Sequence, residues 1–119
     1  MSRALILVVD DDVPILQLMK TLLRQYGFDV AAACSGPEAL EAARSQTPDL
    51  ILLDRNMPGM SGDAVLRELR AEARLASVPV LILSGEPMER DAIRELGANG
   101  AVLKPFDMIG LVETIRSHV

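Results

Sequence analysis

The most constraining feature of this chain is a short aliphatic run followed by an amphipathic stretch, a unit that recurs five times. The runs, which are rich in Leu, Ile, Val and Ala, cover residues 4–9, 28–33, 49–54, 78–83 and 101–103. Such continuous apolar runs are typical of strands buried on both faces of a parallel sheet. Strands that alternate with helices predict right-handed crossovers and helices on both faces of that sheet. We therefore predict a single α/β domain over residues 1–119.

The amphipathic stretches predict five helices, several of which have recognisable starts. The predicted helices cover residues 14–26, 36–45, 62–74, 88–96 and the stretch from 108 onward. Ser35, Ser61 and Asp107 precede three of them and are residue types that accept hydrogen bonds from free N–H groups of a first turn. Ser35 with Glu38 resembles a capping box. In the last helix, Ile109 is expected to point inward with the other apolar residues.

Composition and charge exclude several functional classes. Half of the residues are hydrophobic but only 3% are aromatic, so the core must be aliphatic. The net charge is −5, and no basic run is interleaved with aromatic residues, which argues against direct nucleic-acid binding. No apolar stretch reaches the roughly 18 residues that a membrane helix needs. A single cysteine, Cys34, agrees with a reducing compartment, and we expect a cytoplasmic protein with no membrane contact.

Four of the five predicted strands deliver a polar group at the point where each one ends. Asp10 and Asp11 follow the first, Asp54 ends the third, Ser84 ends the fourth and Lys104 follows the fifth. The carboxyl ends of parallel strands share one edge of the sheet, which is where ligands bind in open α/β folds. These side chains are therefore predicted to meet at one site.

This set of groups suits phosphoryl transfer. Several carboxylates held together repel one another unless a cation neutralises their charge. Mg²⁺ is such a cation, and it can be bound by oxygen ligands alone. Lys104 and the Ser84 hydroxyl can contact phosphoryl oxygens, which leaves Asp54 as the nucleophile that forms an acyl phosphate. Positioned cations neutralise the transferred charge, so the chemistry needs no His or Cys at the site.

Taken together, these motifs resemble the receiver domain of two-component response regulators, of the kind represented by the chemotaxis regulator. The resemblance covers essentially the whole chain and is carried by four segments in order. They are Ile6-Leu7-Val8-Val9-Asp10-Asp11, residues 49–62 around Asp54, Pro79-Val80-Leu81-Ile82-Leu83-Ser84, and Lys104-Pro105-Phe106.

The resemblance implies a flavodoxin-like, doubly wound fold with strand order 2-1-3-4-5. It implies that a sensor histidine kinase or histidine phosphotransfer protein phosphorylates Asp54. Asp11 would ligate Mg²⁺ directly, Asp10 through water and Asn56 through its backbone carbonyl, together with Asp54. Ser84 and Lys104 would contact the phosphoryl group.

Further implications of the resemblance concern the signal. The domain would catalyse only its own phosphorylation and dephosphorylation, and so would not be an enzyme acting on another substrate. It would signal to a downstream effector protein or domain through the face formed by helix 4, strand 5 and helix 5. The resemblance also implies a cis peptide bond before Pro105.

Two positions depart from the family's pattern. Ala101 stands where the family commonly has an aromatic side chain that follows the Ser or Thr hydroxyl inward. Arg55 replaces an apolar or aromatic residue beside the phosphorylated Asp. The favoured interpretation is a simple solvated side chain, and the alternative is an exposed cation that contacts the kinase or the phosphoryl group. Asp12 is interpreted as a residue at the start of the first helix or a solvated acid.

Two alternatives from other classes stay open at this point. One is a degenerate receiver that is never phosphorylated and serves only as a docking module. The other is a phosphohydrolase similar to haloacid dehalogenases, whose nucleophile motif Asp10-Asp11-Asp12-Val13 would fit. The hydrolase lacks its further acidic pair, since only Asp107 and Glu113 follow the lysine, and it leaves Asp54 without a task.

Overall fold

The computed structural model describes residues 3–119 as one open sheet covered by helices on both faces. The strands are β1 (Leu5–Val9), β2 (Asp29–Ala33), β3 (Leu50–Asp54), β4 (Val80–Ser84) and β5 (Gly100–Leu103). The helices are α1 (Val13–Gln25), α2 (Gly36–Ser45), α3 (Gly62–Ala71), α4 (Arg90–Leu96) and α5 (Met108–Arg116). No helix within residues 3–119 is long and apolar enough to cross a membrane.

The sheet is entirely parallel and has the order β2-β1-β3-β4-β5, which confirms the predicted fold class. The chain starts on β1, moves outward to β2 and then crosses back to β3 on the other side of β1. The strand order therefore reverses between β1 and β3, at the crevice where open α/β sheets bind ligands. In register, Asp54 lies beside Leu83, and Ser84 lies beside Leu103.

The core consists of two aliphatic layers, one on each face of the sheet. Alternate residues of each strand point to opposite faces, so the fully buried strands β3 and β4 contribute to both layers. One layer packs under α2 and α3, and its helical residues are Ala39, Leu40, Ala43, Val65, Leu66 and Leu69. The other packs under α1 and α5, with Leu16, Met19, Leu23, Leu111, Val112 and Ile115. The expected aliphatic core is confirmed.

Side chains cap four of the helices at their N-termini. Ser35, Ser61 and Asp107 each accept a hydrogen bond from the backbone N–H three residues later, as predicted. Asp12 does the same for Ile15, at 3.3 Å, which confirms its placement at the start of α1. The capping box is incomplete, because the Glu38 carboxylate accepts from the N–H of Cys34 instead of that of Ser35.

The structure corrects some predicted ends and one predicted core residue. α3 ends at Ala71 instead of residue 74, because the chain turns there and inserts the fully buried Leu75 into the core. α4 begins at Arg90 instead of residue 88, and β4 begins at Val80. Ile109 is 65% exposed, so its inward placement was wrong. The inward stripe of α5 begins one residue earlier, with the partly buried Met108.

Arg70, near the end of α3, ties three segments together. Its guanidinium donates to the carbonyl oxygens of Leu75, Ala76 and Gly97 and to the side-chain oxygen of Asn99, over 2.8 to 3.1 Å. Asn99 in turn accepts from the N–H of Val80, the first residue of β4. Burial lowers the pKa of Arg70. The guanidinium therefore fixes the loop that leads into β4 and the turn that follows α4.

Replacing Arg70 with Lys should lower the free energy of unfolding by about 2 kcal/mol, since an ammonium group cannot satisfy four acceptors spread around a planar fork. Urea unfolding followed by circular dichroism measures the change. Arg67→Lys, at an exposed position of the same helix, is the matched control and should be neutral. Equal stability of the two variants would contradict the role given to Arg70.

Candidate functional site

The carboxyl-end edge of the sheet gathers the polar groups that the sequence predicts there. Asp10 follows β1, Asp54 ends β3 and Ser84 ends β4, and each has at most 4% of its surface exposed. Among residues 3–119 they are the only buried polar or charged residues. A buried polar group is costly unless it is paired, so three of them at one edge of an aliphatic core mark a site.

Three carboxylates converge at this edge. Asp10, Asp11 and Asp54 each place one oxygen within 4.8 Å of the others. Desolvation raises the pKa of Asp10, and the charges of Asp54 and Asp11 add to the rise, while the N–H of Asp12 and the charge of Lys104 oppose it. A cluster of oxygen donors whose negative charges oppose one another fits a hard divalent cation such as Mg²⁺.

Lys104 supplies the cation that the protein itself brings to the cluster. Its Nζ lies 3.1 Å from Oδ1 of Asp54, although the two residues are 50 positions apart in the chain. The side chain of Lys104 is 35% exposed, whereas that of Asp54 is 6% exposed, so solvent reaches the ion pair from the side of the lysine. The N–H of Asn56 donates to the same oxygen at 3.3 Å. Asp54 is therefore held in place from β5 and from its own loop.

Ser84 anchors the loop that leaves β4. Its hydroxyl donates to the carbonyl oxygen of Glu86 at 2.7 Å and accepts from the N–H of Glu86 at 3.2 Å. Its carbonyl oxygen accepts from the N–H of Lys104 at 2.8 Å. A change of hydrogen-bond partner at the Ser84 hydroxyl would therefore also change how the backbone of Glu86 is held.

The loop between β3 and α3 depends on a glycine whose role the sequence did not reveal. A Cβ atom on Gly62 would stand 2.3 Å from the carbonyl oxygen of Asp54 and 2.8 Å from Cα of Arg55. The N–H of Gly62 also donates to the carbonyl of Arg55 at 2.9 Å. Only a residue without a side chain allows this approach. In the sequence, Gly62 lies in the segment around Asp54 that carries the resemblance, but nothing in that segment indicates this close approach.

Arg55 is not the simple solvated side chain that was favoured. Its guanidinium forms two hydrogen bonds with the Asp63 carboxylate, Nε to Oδ1 at 3.2 Å and Nη2 to Oδ2 at 3.3 Å. Asp63 lies in the first turn of α3. The spacing of eight residues across a loop gives no sequence signal for this pair.

An apolar cavity of about 380 Å³ lies beside the acidic cluster, between α1 and the segment that follows β5. Asp10 and Lys104 form part of its lining, and Phe106 forms another part. Ile15 and Leu18 of α1 line it as well, although they are 46% and 58% exposed. An exposed apolar surface thus continues to the polar site.

The peptide bond between Lys104 and Pro105 is cis, as the resemblance implies. Ala101, in β5, is partly buried and packs against the layer under α2 and α3. The residues predicted to bind Mg²⁺ or the phosphoryl group all lie at the carboxyl-end edge of the sheet, and they are Asp10, Asp11, Asp54, Asn56, Ser84 and Lys104.

Known proteins are similar to this chain in sequence and in fold. The family model described as the response regulator receiver domain matches residues 6–116. The DNA-binding response regulator MtrA of Mycolicibacterium paratuberculosis is 40% identical over 119 residues, which cover 98% of this chain and 52% of that protein. The chain thus spans about half the length of this curated relative.

Two solved structures show the same architecture. Chemotaxis protein CheY4 of Vibrio cholerae is 31% identical, with a TM-score of 0.93 and coverage of 99% of this chain and 100% of that one. The response regulator TrrA of Thermotoga maritima, in complex with Mg²⁺ and BeF, is 32% identical, with a TM-score of 0.86 and coverage of 98% and 99%. With its acidic cluster in place, the chain belongs to the receiver-domain family of two-component response regulators.

Proposed function

We propose that Asp54 is the residue of this receiver domain that accepts the phosphoryl group, from a phosphohistidine of a partner protein. The observation that supports this most directly is the placement of its buried carboxylate. Asp54 lies 3.1 Å from the Lys104 ammonium and within 4.8 Å of two further acids. The same cluster fits the phosphoacceptor site of the family.

In the proposed reaction, a carboxylate oxygen of Asp54 attacks the phosphorus atom in line with the bond to the donor imidazole. The phosphorus–nitrogen bond breaks, the imidazole leaves with the electron pair, and an acyl phosphate forms. A carboxylate nucleophile has no proton to lose on attack, so the step requires no general base. Lys104 and the Ser84 hydroxyl then contact phosphoryl oxygens and stabilise their negative charge.

The acidic cluster would hold Mg²⁺ through Asp10, Asp11 and Asp54, with the backbone carbonyl of Asn56 as a further oxygen ligand. The bound ion would neutralise charge on the phosphoryl group as it is transferred. TrrA, described in complex with Mg²⁺ and BeF, supports this assignment. Asp10 and Asp11 are thereby positioned for metal binding and leave the nucleophilic role to Asp54.

The domain would catalyse only its own phosphorylation and dephosphorylation. Neither the docking module nor the phosphohydrolase is favoured by the family match, which extends over residues 6–116. The hydrolase would use an Asp of the segment after β1 as its nucleophile, whereas Asp54 has the direct lysine contact. A docking module would have no use for this contact or for the acids grouped around it.

The output surface would be the face of α4, β5 and α5. Ser84 is coupled to Glu86 by two hydrogen bonds, so a phosphoryl group that draws the hydroxyl away would release the loop leading to α4. No residue of α4 is buried and its N-cap side chain makes no capping hydrogen bond, so little packing opposes its movement. The recipient would be an effector protein or domain. That the chain itself does not bind nucleic acid stays a prediction.

The phosphodonor would dock over α1 and the segment after β5. A donor histidine must reach Asp54, so the donor has to contact the surface around the site. The adjoining surface on the α1 side is apolar, with Ile15 and Leu18 exposed beside a cavity that reaches Asp10 and Lys104. Exposed apolar side chains next to a polar reaction centre suit a protein partner that covers them.

Replacing Asp54 with Asn should abolish labelling by acetyl phosphate in the presence of Mg²⁺, because an amide cannot form the acyl phosphate. Intact-protein mass spectrometry detects the added phosphoryl group. Asp12→Asn is the matched control, since Asn also caps a helix, and it should be labelled like the wild type. Labelling that persists in Asp54→Asn would favour the hydrolase, and an unlabelled wild type would favour the docking module.

Replacing Asp10 with Asn should stabilise the metal-free protein at pH 7, because the folded state raises the pKa of Asp10 above 3.8 and so disfavours its charged form. The gain should appear as a higher melting temperature of the variant. It should be full above the raised pKa and vanish as the pH falls below 3.8. Differential scanning calorimetry measures both effects.

With Mg²⁺ present, the wild type should melt at a higher temperature than Asp10→Asn. The cation stabilises the wild-type carboxylate but has one ligand fewer in the variant. Asp12→Asn, whose side chain lies outside the cluster, should show neither effect. A metal-free Asp10→Asn protein that melts below the wild type would contradict the repulsion and desolvation assigned to Asp10.

Replacing Leu18 with Ala should slow phosphoryl transfer from a phosphohistidine donor protein by roughly five- to tenfold, because a buried apolar contact is lost in the complex. The rate with acetyl phosphate should not change, since a small donor has no use for the docking surface. Ile109→Ala, also exposed but outside the cavity lining, is the control. An equal loss with both donors would place the defect in the site instead of the docking surface.

A further inference from the structure

The second strand and the second helix supply no group to the proposed reaction, yet the turn between them contacts two segments of the site. We call this turn, residues 33–36, the β2–α2 junction. On one side, the backbone N–H of Asp10 donates to the carbonyl oxygen of Ala33 at 3.1 Å. On the other side, Gly36 lies against Met60, in the loop between β3 and α3. The junction therefore contacts both the segment after β1 and the loop after β3.

The contact between Gly36 and Met60 leaves no space for a side chain at residue 36. A Cβ atom on Gly36 would stand 2.8 Å from each of three atoms of Met60, which are Cβ, Cγ and Sδ. Ordinary contacts between carbon atoms measure about 3.5 to 4.0 Å. The Cβ atom of Met60 is fixed to its backbone, so a change of rotamer cannot relieve the clash. Since Gly36 has a helical backbone, glycine is needed here for space and not for conformation.

The β2–α2 junction is held firmly by its own hydrogen bonds. The Ser35 hydroxyl accepts from the N–H of Glu38 at 3.3 Å, and the Glu38 carboxylate accepts from the N–H of Cys34 at 3.4 Å. Gly36 is buried as the first residue of α2, and the helix then packs into the aliphatic layer under α2 and α3. The start of α2 is therefore a fixed support for whatever lies against it.

The loop between β3 and α3, residues 55–61, is anchored to the core by two methionines. Met57 is buried and Met60 is partly buried, and both pack into the layer under α2 and α3. The loop is closed at its base, where the N–H of Gly62 donates to the carbonyl of Arg55 at 2.9 Å. Three of its other residues are exposed, and they are Asn56, Pro58 and Gly59. A shift of Met60 would therefore be passed on to the exposed part of this short, closed loop.

We propose that the β2–α2 junction sets the geometry of the Mg²⁺ site, with Gly36 and Met60 as positioning residues. Two of the proposed ligands, Asp10 and Asn56, lie on the two segments that the junction contacts. A carboxylate ligand can rotate to follow a small displacement, whereas a backbone carbonyl moves only with its loop. The placement of the Asn56 carbonyl therefore depends on the anchoring of Met60. This inference rests on the Mg²⁺ binding proposed above and names residues that do not touch the ion.

Replacing Gly36 with Ala should weaken Mg²⁺ binding about tenfold, the lower end of the range for residues that orient metal ligands. Isothermal titration calorimetry with Mg²⁺ alone, well below the melting temperature, measures the affinity of the folded protein. The Mg²⁺ concentration that half-saturates labelling by acetyl phosphate should rise by the same factor. The labelling rate at saturating Mg²⁺ should stay close to that of the wild type. A merely structural role would lower the melting temperature and leave both Mg²⁺ readouts unchanged.

A second pair of variants tests whether the effect passes through Met60. Met60→Gly removes the atoms that a methyl group at residue 36 would meet, and by loosening the loop it should itself weaken Mg²⁺ binding. Adding Gly36→Ala to Met60→Gly should then cause no further loss. Met60→Ala, which shortens the anchor, should also weaken binding. Met88→Ala is its matched control, since Met88 is partly buried against the same layer, and it should keep the wild-type affinity.

Wild-type affinity in Gly36→Ala would overturn the inference. Additive losses in Gly36→Ala with Met60→Gly would overturn it as well, because residues that act through one contact are not independent. If Gly36→Ala does not fold, Met60→Ala decides, and a loss no larger than that of Met88→Ala would count against the inference. Wild-type protein that binds no Mg²⁺ would sink the proposed metal site and this inference together. Wild-type protein that binds Mg²⁺ with variants that bind it equally well would sink only the inference.

Discussion

The contact between Lys104 and Asp54 is the interaction on which the arrangement of the site depends. It joins β3 to the end of β5 at 3.1 Å and gives a nearly buried carboxylate its cation. Without a partner, an ionised carboxylate at this depth would be strongly disfavoured. The parallel sheet makes the pairing possible, because it brings the carboxyl ends of separate strands to one edge whatever their separation in the chain. In the proposed reaction, Lys104 would also be the cation that contacts the phosphoryl group.

The fold tolerates these buried polar groups because the two central strands that carry Asp54 and Ser84 are otherwise aliphatic. Every residue of β3 and β4 is buried, and apart from Asp54 and Ser84 at their ends all of them are aliphatic. The aliphatic layers on both faces stabilise the fold. This stabilisation offsets the free-energy cost of burying Asp10, Asp54 and Ser84 away from water. Polar side chains are thus buried only at the candidate site, and the rest of the described core is apolar.

Local patterns in the sequence were sufficient for the alternating strands and helices and for the groups at the strand ends, whereas the strand order was predicted only through the resemblance to the receiver family. An apolar run that ends in an acid needs no tertiary information to be recognised. The pairing of Arg55 with Asp63, the approach of Gly62 to Asp54 and the end of α3 depend on how loops close in three dimensions. The wrong inward placement of Ile109 has a similar cause. A shift of one residue along α5 decides whether a side chain faces the core or the solvent, and the sequence pattern does not fix that shift.

Ala101 limits what β5 can contribute to the readout, since its methyl group has no rotamers to change. The groups around Ser84 have more freedom. The hydroxyl is tied to Glu86 by two hydrogen bonds, and Glu86 lines a cavity together with Ser84 and Gly85. A phosphoryl group that takes the Ser84 proton would therefore act first on the loop after β4. In the proposed function, that loop would be the element best placed to carry the signal from the site to α4.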